Sequence, residues 1–407
     1  MQIIELTELQ FKNYSRLHSK KNYKQSVEYA KLKQYDGYTP HYLGLIDDMN
    51  NVHAATLLLG KSINNKHKYG YVPNGYLINH YNIDLVQIFT NELKVYLKKE
   101  NFIYIRINPS LNYQTYTSDF ILKENNSGII NEFKKIGYEL IPNTTKYKMM
   151  LKTDNIKSTY KNFKRSLRRT INDCLKKGII VYQATTPEDK QAFLNIIDTK
   201  ERYQHMIELF NNNNNRLSIY LAKIDPNTYI NNYRYLLKKE QINNEILNQK
   251  LKNPNVQKTT KLIEKKMTSD KLINSYKNEM IIGTEFAKKY PNSIIISGVA
   301  IIKNEKNISF VKEGYLKEFK NIRSIPLIKW EIIKQQINNG YKIFDLGDVT
   351  ITNNQITKAG FNGNIIEYSN SSDLVINDLL YKLNGYAKKK YHPNNNEKSK
   401  EKQETKK

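Results

Sequence analysis

The sequence predicts an α/β protein made of two similar units, with a helical insertion in the second. Amphipathic helices and apolar strand segments alternate along the first third of the 407 residues, and the same alternation begins again near Thr153. By contrast, residues 226–290 are polar and helix-forming throughout. Alternation of this kind is typical of helices packed on a mostly buried sheet, and the length allows two or three domains.

The first unit is predicted over residues 1–152. Its longest helix, residues 83–100, places five apolar side chains on one face: Leu85, Ile88, Phe89, Leu93 and Tyr96. This face is expected to pack on the sheet. The remaining elements are a helix over residues 25–35 and strands over residues 42–47, 53–60 and 102–108.

The second unit is predicted over residues 153–225 and 291–386. It opens with a basic helix over residues 158–177, which is followed by Gly178, the residue type that most often caps a helix C-terminus. A strand at 179–184 and a helix at 187–203 follow. The later elements are strands over residues 293–303, 307–316 and 342–348 and a helix over residues 325–340.

The pattern of residues 226–290 predicts an inserted helical hairpin. Asp225 and Pro226 form a favourable helix start, and Pro254 breaks the segment between two asparagines. Apolar residues recur at heptad spacing, although Glu240 and Asn244 interrupt the seam. We predict an antiparallel coiled-coil arm; the alternative is a pair of ordinary surface helices. Residues 387–407 are predicted to be a disordered basic tail.

Composition limits the function classes. The net charge of +26 favours a polyanionic partner, although the bias towards Lys, Asn, Ile and Tyr would also follow from an AT-rich genome. The single cysteine, Cys174, excludes an internal disulfide and is predicted to be buried and structural. The histidines lack metal-ligand spacing, so neither a metal site nor a cofactor is expected. Without a secretory signal or an apolar run of spanning length, the chain is expected to be cytoplasmic and able to contact the membrane surface.

Several ordered segments resemble the Fem aminoacyltransferases (FemA/FemB/FemX-like), which build peptidoglycan interpeptide bridges. They are KQSVEYAKLK, GYVPNGYLIN, IRINP, PLIKWEIIKQQINNGYKIFDLGD and ITKAGFNGNIIEY, and the resemblance covers nearly the whole chain except the tail. It implies two tandem GNAT-like acyltransferase domains, with the antiparallel helical coiled-coil arm inserted in the second. It also implies transfer of an amino acid from aminoacyl-tRNA to the stem peptide of lipid II or UDP-MurNAc-pentapeptide.

The resemblance implies a catalytic role for Lys358, which stands just before Gly360 and Phe361. An amine that attacks an aminoacyl ester creates an oxyanion, which needs a cation or a hydrogen-bond donor close by. Thr357 replaces the phenylalanine that precedes this lysine in the family, a change that is tolerable if only the main-chain carbonyl matters. An exposed loop lysine is the alternative interpretation.

The three further positions that correspond to substrate-binding residues of the family are Lys33, Arg202 and Asn108. Lys33 resembles the lysine that contacts the acceptor's phosphates, with Lys31 as a competitor for that role. Arg202 resembles an arginine that follows the first long helix of the second domain. Asn108 stands where the family usually has aspartate, and Asn74 where arginine is common. Because asparagine cannot act as a base, the substrate or water would have to carry the proton.

The basic helix is predicted to bind tRNA through Arg165, Arg168 and Arg169, with a solvated charged face as the alternative. Two other functions remain open. One is a different acyltransferase on the same fold, CoA-dependent or tRNA-dependent, although a glycine-rich pyrophosphate loop is missing. The other is a non-enzymatic RNA-binding protein, which would require clustered aromatic and basic residues, whereas the tyrosines here are dispersed.

Overall fold

The computed structural model describes residues 1–19, 21–109, 111–142, 146–197, 200–211, 216–253, 259–305, 307–352, 355–356 and 358–383. The chain divides into two compact units. The first consists of residues 1–149, 348–357 and 364–407, and the second of residues 150–347 and 358–363. No helix in the described ranges is long and apolar enough to cross a membrane.

Strands and helices alternate through most of the chain. The strands are β1 Gln2–Glu5, β2 Thr39–Ile46, β3 Val52–Ser62, β4 Lys68–Pro73, β5 Phe102–Asn108, β6 Asn112–Tyr116, β7 Leu122–Asn125, β8 Tyr138–Leu140, β9 Lys146–Lys152, β10 Ile180–Gln183, β11 Leu217–Ile224, β12 Ile294–Lys303, β13 Asn307–Tyr315, β14 Ile343–Asp348, β15 Ile351–Thr352, β16 Gln355–Ile356, β17 Asn364–Tyr368 and β18 Ser372–Val375. The helices are α1 Glu8–Leu17, α2 Val27–Tyr35, α3 Ile83–Lys99, α4 Ser127–Lys135, α5 Ile156–Asn162, α6 Arg165–Lys176, α7 Pro187–Ile196, α8 Lys200–Asn211, α9 Pro226–Lys252, α10 Thr260–Lys289 and α11 Ile325–Asn338.

The first unit contains a mixed sheet with strand order β1-β2-β3-β4-β5-β18-β8, and α3 packs on it. Phe89 and Leu93 of α3 are fully buried, as predicted, but Ile88 is 41% exposed. Val86 and Leu97 complete the buried stripe instead. The spacing of 86, 89, 93 and 97 follows one face of a 3.6-residue helix, whereas position 88 is rotated towards solvent.

The last two strands return the chain to the first unit. β17 pairs with β6, and β18 lies between β5 and β8, antiparallel to both. Residues 364–383 therefore belong to the first unit, which corrects the predicted second domain of residues 291–386. The predicted disordered tail lies outside the described residues.

A buried carboxylate secures β18. Asp373 is 0% exposed and accepts two hydrogen bonds from Arg106, from Nε at 2.9 Å and Nη2 at 2.8 Å. The hydroxyl of Tyr381 donates a third, at 2.8 Å. Bidentate arginine–carboxylate pairs of this kind combine charge with fixed geometry.

We expect Asp373→Asn to lower the free energy of unfolding by about 2 kcal/mol, because the charge-assisted bonds to Arg106 lose their anionic acceptor. The matched control is Asp378→Asn, whose carboxylate pairs with Lys382 at the surface with both side chains 65% exposed. Its effect should stay within about 0.5 kcal/mol. Urea unfolding of both variants measures the difference, and equal midpoints would contradict a stabilising role for the pair.

The second unit contains a sheet segment with strand order β10-β11-β12-β13-β14, which is antiparallel except for the last pair. α11 contributes a continuous buried surface of Leu327, Ile328, Ile332 and Ile333. The parallel pairing of β13 with β14 covers only residues 307–309 and 343–345. Beyond this point the two strands are no longer hydrogen-bonded to each other. Ligand crevices in α/β sheets form at the carboxyl ends of parallel strands that separate in this way.

The inserted segment forms two long helices, α9 and α10, that contact each other in antiparallel order. Tyr233 lies 5.9 Å from Tyr276 between ring centroids, and the Asn244 side chain donates to Ser269 Oγ at 3.0 Å. The Asn244 amide also donates to Asp270 at 2.8 Å. The buried side chain of Asn244, at the predicted interruption of the seam, therefore has hydrogen-bond partners on the other helix. Pro254 lies outside the described residues.

The prediction of one continuous basic helix over residues 158–177 is wrong, because the structure has two helices there. α5 ends at Asn162, and Phe163 and Lys164 take extended conformations before α6 begins. The Phe163 ring is 2% exposed and lies 5.3 Å from the rings of both Trp330 and Phe361. The Lys164 N–H donates to the carbonyl of Gly360 at 2.9 Å. Packing against these distant residues breaks a segment whose local pattern is helical throughout.

The helix predicted over residues 187–203 is likewise two helices, α7 and α8. α7 ends where Ile197 becomes extended, with φ −99° and ψ 153°. Ile197 is 4% exposed, so its side chain is buried in the core of the unit. An apolar residue that is buried from an extended backbone ends the helix before the polar segment that follows.

Candidate active site

A pocket in the second unit brings together four charged side chains. They come from β13, the connection before α11, α11 itself and the segment around residue 360, and α6 adds uncharged residues to the wall. The lining includes Thr170, Glu313, Arg323, Lys329, Lys358 and Phe361. Glu313 comes from the part of β13 that no longer pairs with β14, so the pocket includes residues from the point where these parallel strands separate.

Lys358 occupies an uncommon backbone conformation in this pocket. Its φ of 66° and ψ of 2° are left-handed, a region that non-glycine residues enter at an energetic cost and often at functional sites. Room for the side chain comes from Gly347, where a Cβ would lie 3.3 Å from the Lys358 ammonium nitrogen. Any larger residue at position 347 would therefore crowd the ammonium group.

The segment after Lys358 is fixed by its packing. Phe361 is 3% exposed and contacts Phe163 edge to face, and a Cβ on Gly360 would approach Leu167 to 2.9 Å. The Phe361 N–H also donates to the carbonyl of Lys358 at 3.0 Å. Lys358 is thus a partly buried pocket residue, and the alternative of an exposed loop lysine does not describe it. Thr357, the other predicted catalytic residue, lies outside the described residues.

An ion pair between a buried lysine and a partly exposed carboxylate forms another part of the pocket wall. The Lys329 side chain is 3% exposed, and its Nζ lies 2.5 Å from Glu313 Oε2 and 5.8 Å from the Phe310 ring centroid. A lysine removed from water requires a counter-charge, which Glu313 provides. The Glu313 side chain is 43% exposed and so remains accessible. Neither residue was predicted from the sequence, although a lysine within the mostly apolar segment IPLIKWEII was the available signal.

Arg323 adds a second cation in a left-handed conformation, with φ 55° and ψ 45°. Its guanidinium makes no ion pair with any residue in the described ranges.

The carbonyl of Ile322 accepts a hydrogen bond from the Cys174 thiol at 3.4 Å. Cys174 is fully buried, as predicted, and this burial raises the pKa of its thiol to about 12.

The predicted tRNA-binding arginines lie on the helix that lines this pocket. α6 buries Leu167, Ile171 and Cys174 and contributes Ser166 and Thr170 to the pocket wall. Arg165 and Arg169 are exposed, and Arg168 is partly buried, with its Nη1 donating to the carbonyl of Lys161 at 3.3 Å. By contrast, Arg202 is an exposed residue of α8 and does not line the pocket.

A second pocket lies in the first unit and contains Asn108, a predicted substrate-binding residue, and Asn74, which stands where the family commonly has arginine. Asn74 and Asn108 line it together with Lys146 and Lys148, which the sequence analysis did not single out. The Asn108 amide donates to the Tyr71 hydroxyl at 2.8 Å, and its carbonyl oxygen accepts from Ser371. With its amide engaged on both sides, Asn108 is a fixed polar group of the wall and has no proton-accepting carboxylate.

Lys33 lies on α2 and does not line this pocket. Its Nζ pairs with Asp36 at 2.7 Å and lies 5.3 Å from the centroid of the Tyr38 ring. The competitor Lys31 pairs with Glu8 at 3.0 Å and has a 40% exposed side chain, against 12% for Lys33. Lys33 is thus the more enclosed of the two cations.

The connection between β13 and α11 differs from the glycine-rich loops that bind a pyrophosphate at a helix start. Residues 316–324, between β13 and α11, contain no glycine, and Pro326 removes one N–H from the first turn of α11. Free backbone N–H groups at a helix start are what binds such phosphates. Among the residues that the structure describes, no group of three or more His, Cys, Asp or Glu side chains could hold a metal ion.

Comparison with known proteins gives a consistent assignment. A sequence profile of the FemAB family matches residues 6–389. The aminoacyltransferase FemA of Staphylococcus aureus strain bovine RF122 / ET3-1 is 25% identical over 413 aligned residues, covering 94% of this chain and 97% of FemA. FemA of strain MRSA252 is 24% identical with the same coverage. The crystal structure of FemX shares the fold, with a TM-score of 0.68 at 15% identity, covering 94% of this chain and 99% of FemX. The chain therefore belongs to the FemAB family.

Proposed function

We propose that this protein transfers an amino acid from aminoacyl-tRNA to an amino group on the stem peptide of a peptidoglycan precursor, lipid II or UDP-MurNAc-pentapeptide. As a member of the FemAB family it is an aminoacyltransferase. The observation that carries the proposal is the left-handed Lys358, partly buried beside the separated ends of two parallel strands. We also propose that the two units are tandem GNAT-like domains, with α9 and α10 as a coiled-coil arm in the second.

The chemistry assigned to Lys358 is stabilisation of the tetrahedral intermediate. The acceptor amine attacks the ester carbonyl, a C–N bond forms, and the carbonyl oxygen becomes an oxyanion that the Lys358 ammonium stabilises. Collapse of this intermediate breaks the ester C–O bond and releases the ribose hydroxyl of the tRNA. The proton lost by the amine ends on that hydroxyl, carried by substrate or water because Asn108 cannot accept it.

The charges of the second unit fit a nucleic-acid donor. Arg323 is available in the same pocket as Lys358, and Arg165 and Arg169 are exposed on the adjoining helix α6. We expect the phosphates of the tRNA acceptor end to bind these cations before the ester reaches Lys358. The glycine-free connection at residues 316–324 gives a CoA-dependent reaction less support.

Acceptor binding is assigned to the first unit. Lys146 and Lys148 line the pocket that also contains Asn74 and Asn108, and Lys33 lies on α2 of the same unit. Lysine ammonium groups suit the diphosphate that both candidate precursors carry. We further propose that the enzyme works in the cytoplasm, where it meets a lipid-linked acceptor at the membrane face.

A mass measurement tests the proposal. The purified chain is incubated with bulk charged tRNA and, in separate reactions, with lipid II or UDP-MurNAc-pentapeptide. An increase equal to one amino-acid residue, abolished by RNase, is expected on one acceptor and identifies donor and acceptor together. If neither acceptor gains mass while the protein still binds tRNA, the aminoacyltransfer proposed for these precursors is wrong.

A further inference from the structure

Glu313 lines the same pocket as Lys358 but has no role in the reaction described above. We propose that its carboxylate binds the protonated α-amino group of the aminoacyl donor. The inference rests on the proposed function, since it concerns one part of that donor. It adds a recognition element for the amino acid itself, separate from contacts with the tRNA.

The two oxygens of Glu313 have different surroundings. Oε2 is held 2.5 Å from the buried ammonium of Lys329. Oε1 makes no hydrogen bond to any residue in the described part of the chain, and the side chain is 43% exposed. An ionised carboxylate can accept several hydrogen bonds, so one oxygen is fixed while the other stays available to a ligand.

The distribution of charge in the pocket favours this assignment. Among the described residues that line it, Lys329, Lys358 and Arg323 are cations and Glu313 is the sole carboxylate. An aminoacyl-tRNA has negative phosphates, a carbonyl oxygen that becomes negative, and one positive ammonium group. The cations suit the first two, and only Glu313 among these four side chains suits the ammonium.

Fold stability alone gives little reason for the Glu313–Lys329 pair. Removing the charge of Lys329 from water costs energy, and an apolar residue in its place would often be neutral or stabilising. Here the lysine side chain is 3% exposed and is flanked in sequence by the buried residues Ile328 and Trp330, and its carboxylate partner faces a pocket. The arrangement is what a fixed binding carboxylate requires, because a rigid acceptor loses little entropy when its ligand arrives.

A general base is the competing role for Glu313, and the two roles predict different results. A base would be needed whatever donor is used, because the acceptor amine must lose its proton in every case. An ammonium-binding group matters only when the donor has a charged amino group. Donors with and without that charge therefore separate the two roles.

The test compares two donors on the full-length protein. The first is glycyl-, alanyl- or seryl-tRNA, whichever supports transfer, and the second is the matching α-hydroxyacyl-tRNA, in which a neutral hydroxyl replaces the ammonium. We expect Glu313→Gln to lower kcat/KM for the aminoacyl donor about ten- to a hundredfold, the usual effect of losing a charge-assisted hydrogen bond. The hydroxyacyl donor should lose clearly less, because it has no charged amino group; any loss shared by both donors reports the unpaired Lys329.

Glu318→Gln is the matched control, because Glu318 also pairs with a lysine, Lys289, at 2.5 Å, but lies outside the pocket. Its kinetics with both donors should equal those of the wild type. Equal losses for both donors in Glu313→Gln would assign a base or a purely structural role, and no loss with either donor would remove Glu313 from recognition. Each result overturns the inference while leaving the transfer reaction itself established.

A binding measurement keeps the inference separate from turnover. Adenosine with the amino acid in a stable 3′-amide linkage mimics the donor end and cannot react, and its α-hydroxy counterpart lacks the charge. Wild-type protein should bind the amino compound about tenfold more tightly, and Glu313→Gln should bind both equally. If wild-type protein does not distinguish the two compounds, the inference fails whatever the transfer assay shows.

Discussion

Lys358→Ala is expected to lower kcat about 10²–10³-fold, the typical loss when one oxyanion-stabilising contact is removed. KM for the donor should change little, because the ammonium acts on charge that develops in the transition state. Steady-state transfer to the acceptor identified by mass spectrometry measures both constants. Lys288→Ala is the control, since Lys288 is an exposed lysine of α10 in the same unit, and its kinetics should match the wild type.

The left-handed backbone of Lys358 allows charge to be separated from conformation. Glycine accepts a φ of 66° without steric cost, whereas alanine retains a Cβ that disfavours this region by about 1 kcal/mol or more. Lys358→Gly should therefore be as inactive as Lys358→Ala but about 1 kcal/mol more stable to urea. A kcat above about one third of the wild-type value in either variant would show that the reaction does not need this ammonium group.

Local sequence patterns were sufficient for most elements but not for the interruptions. Residues 158–177 fit a helix by spacing and by the glycine that follows, and nothing local marks Phe163 as a break. The interruption follows from Trp330 and Phe361, which are more than 160 residues away in sequence. β18 is similar, since its pairing with β5 depends on contacts across most of the chain. Periodicity contains no information about such long-range partners.

The candidate site also has one part that the sequence predicted and another part that it did not. Lys358 was identified because its neighbours resemble a family motif, and the structure adds that it lines a pocket in a left-handed conformation. Glu313 and Lys329 were missed because each fits its own element: Lys329 lies in a helix with other charged residues and Glu313 in a strand. Their ion pair exists only after α11 packs on the sheet, so spacing along the sequence could not predict it.

Phe163→Ala is expected to lower the free energy of unfolding by about 3–5 kcal/mol, the range measured for removal of a buried aromatic ring. The ring is 2% exposed and packs between Trp330 and Phe361, so its loss leaves a cavity in the core of the second unit. Trp330 is the single tryptophan of the chain, and its fluorescence during urea unfolding reports this cluster directly. Leu175→Ala, at a 50% exposed position of α6, is the control and should stay within about 0.5 kcal/mol.

Phe163→Ala should also lower catalysis. Phe163 packs against Phe361, three residues after Lys358, and the neighbouring Lys164 N–H donates to the carbonyl of Gly360, two residues after Lys358. A fall in kcat with an unchanged donor KM is expected under conditions where the variant is still folded. Phe163→Leu keeps most of the volume and should lose less of both stability and kcat, which provides a folded comparison if the alanine variant does not fold. A stability loss without any fall in kcat would show that Lys358 is positioned independently of this aromatic cluster.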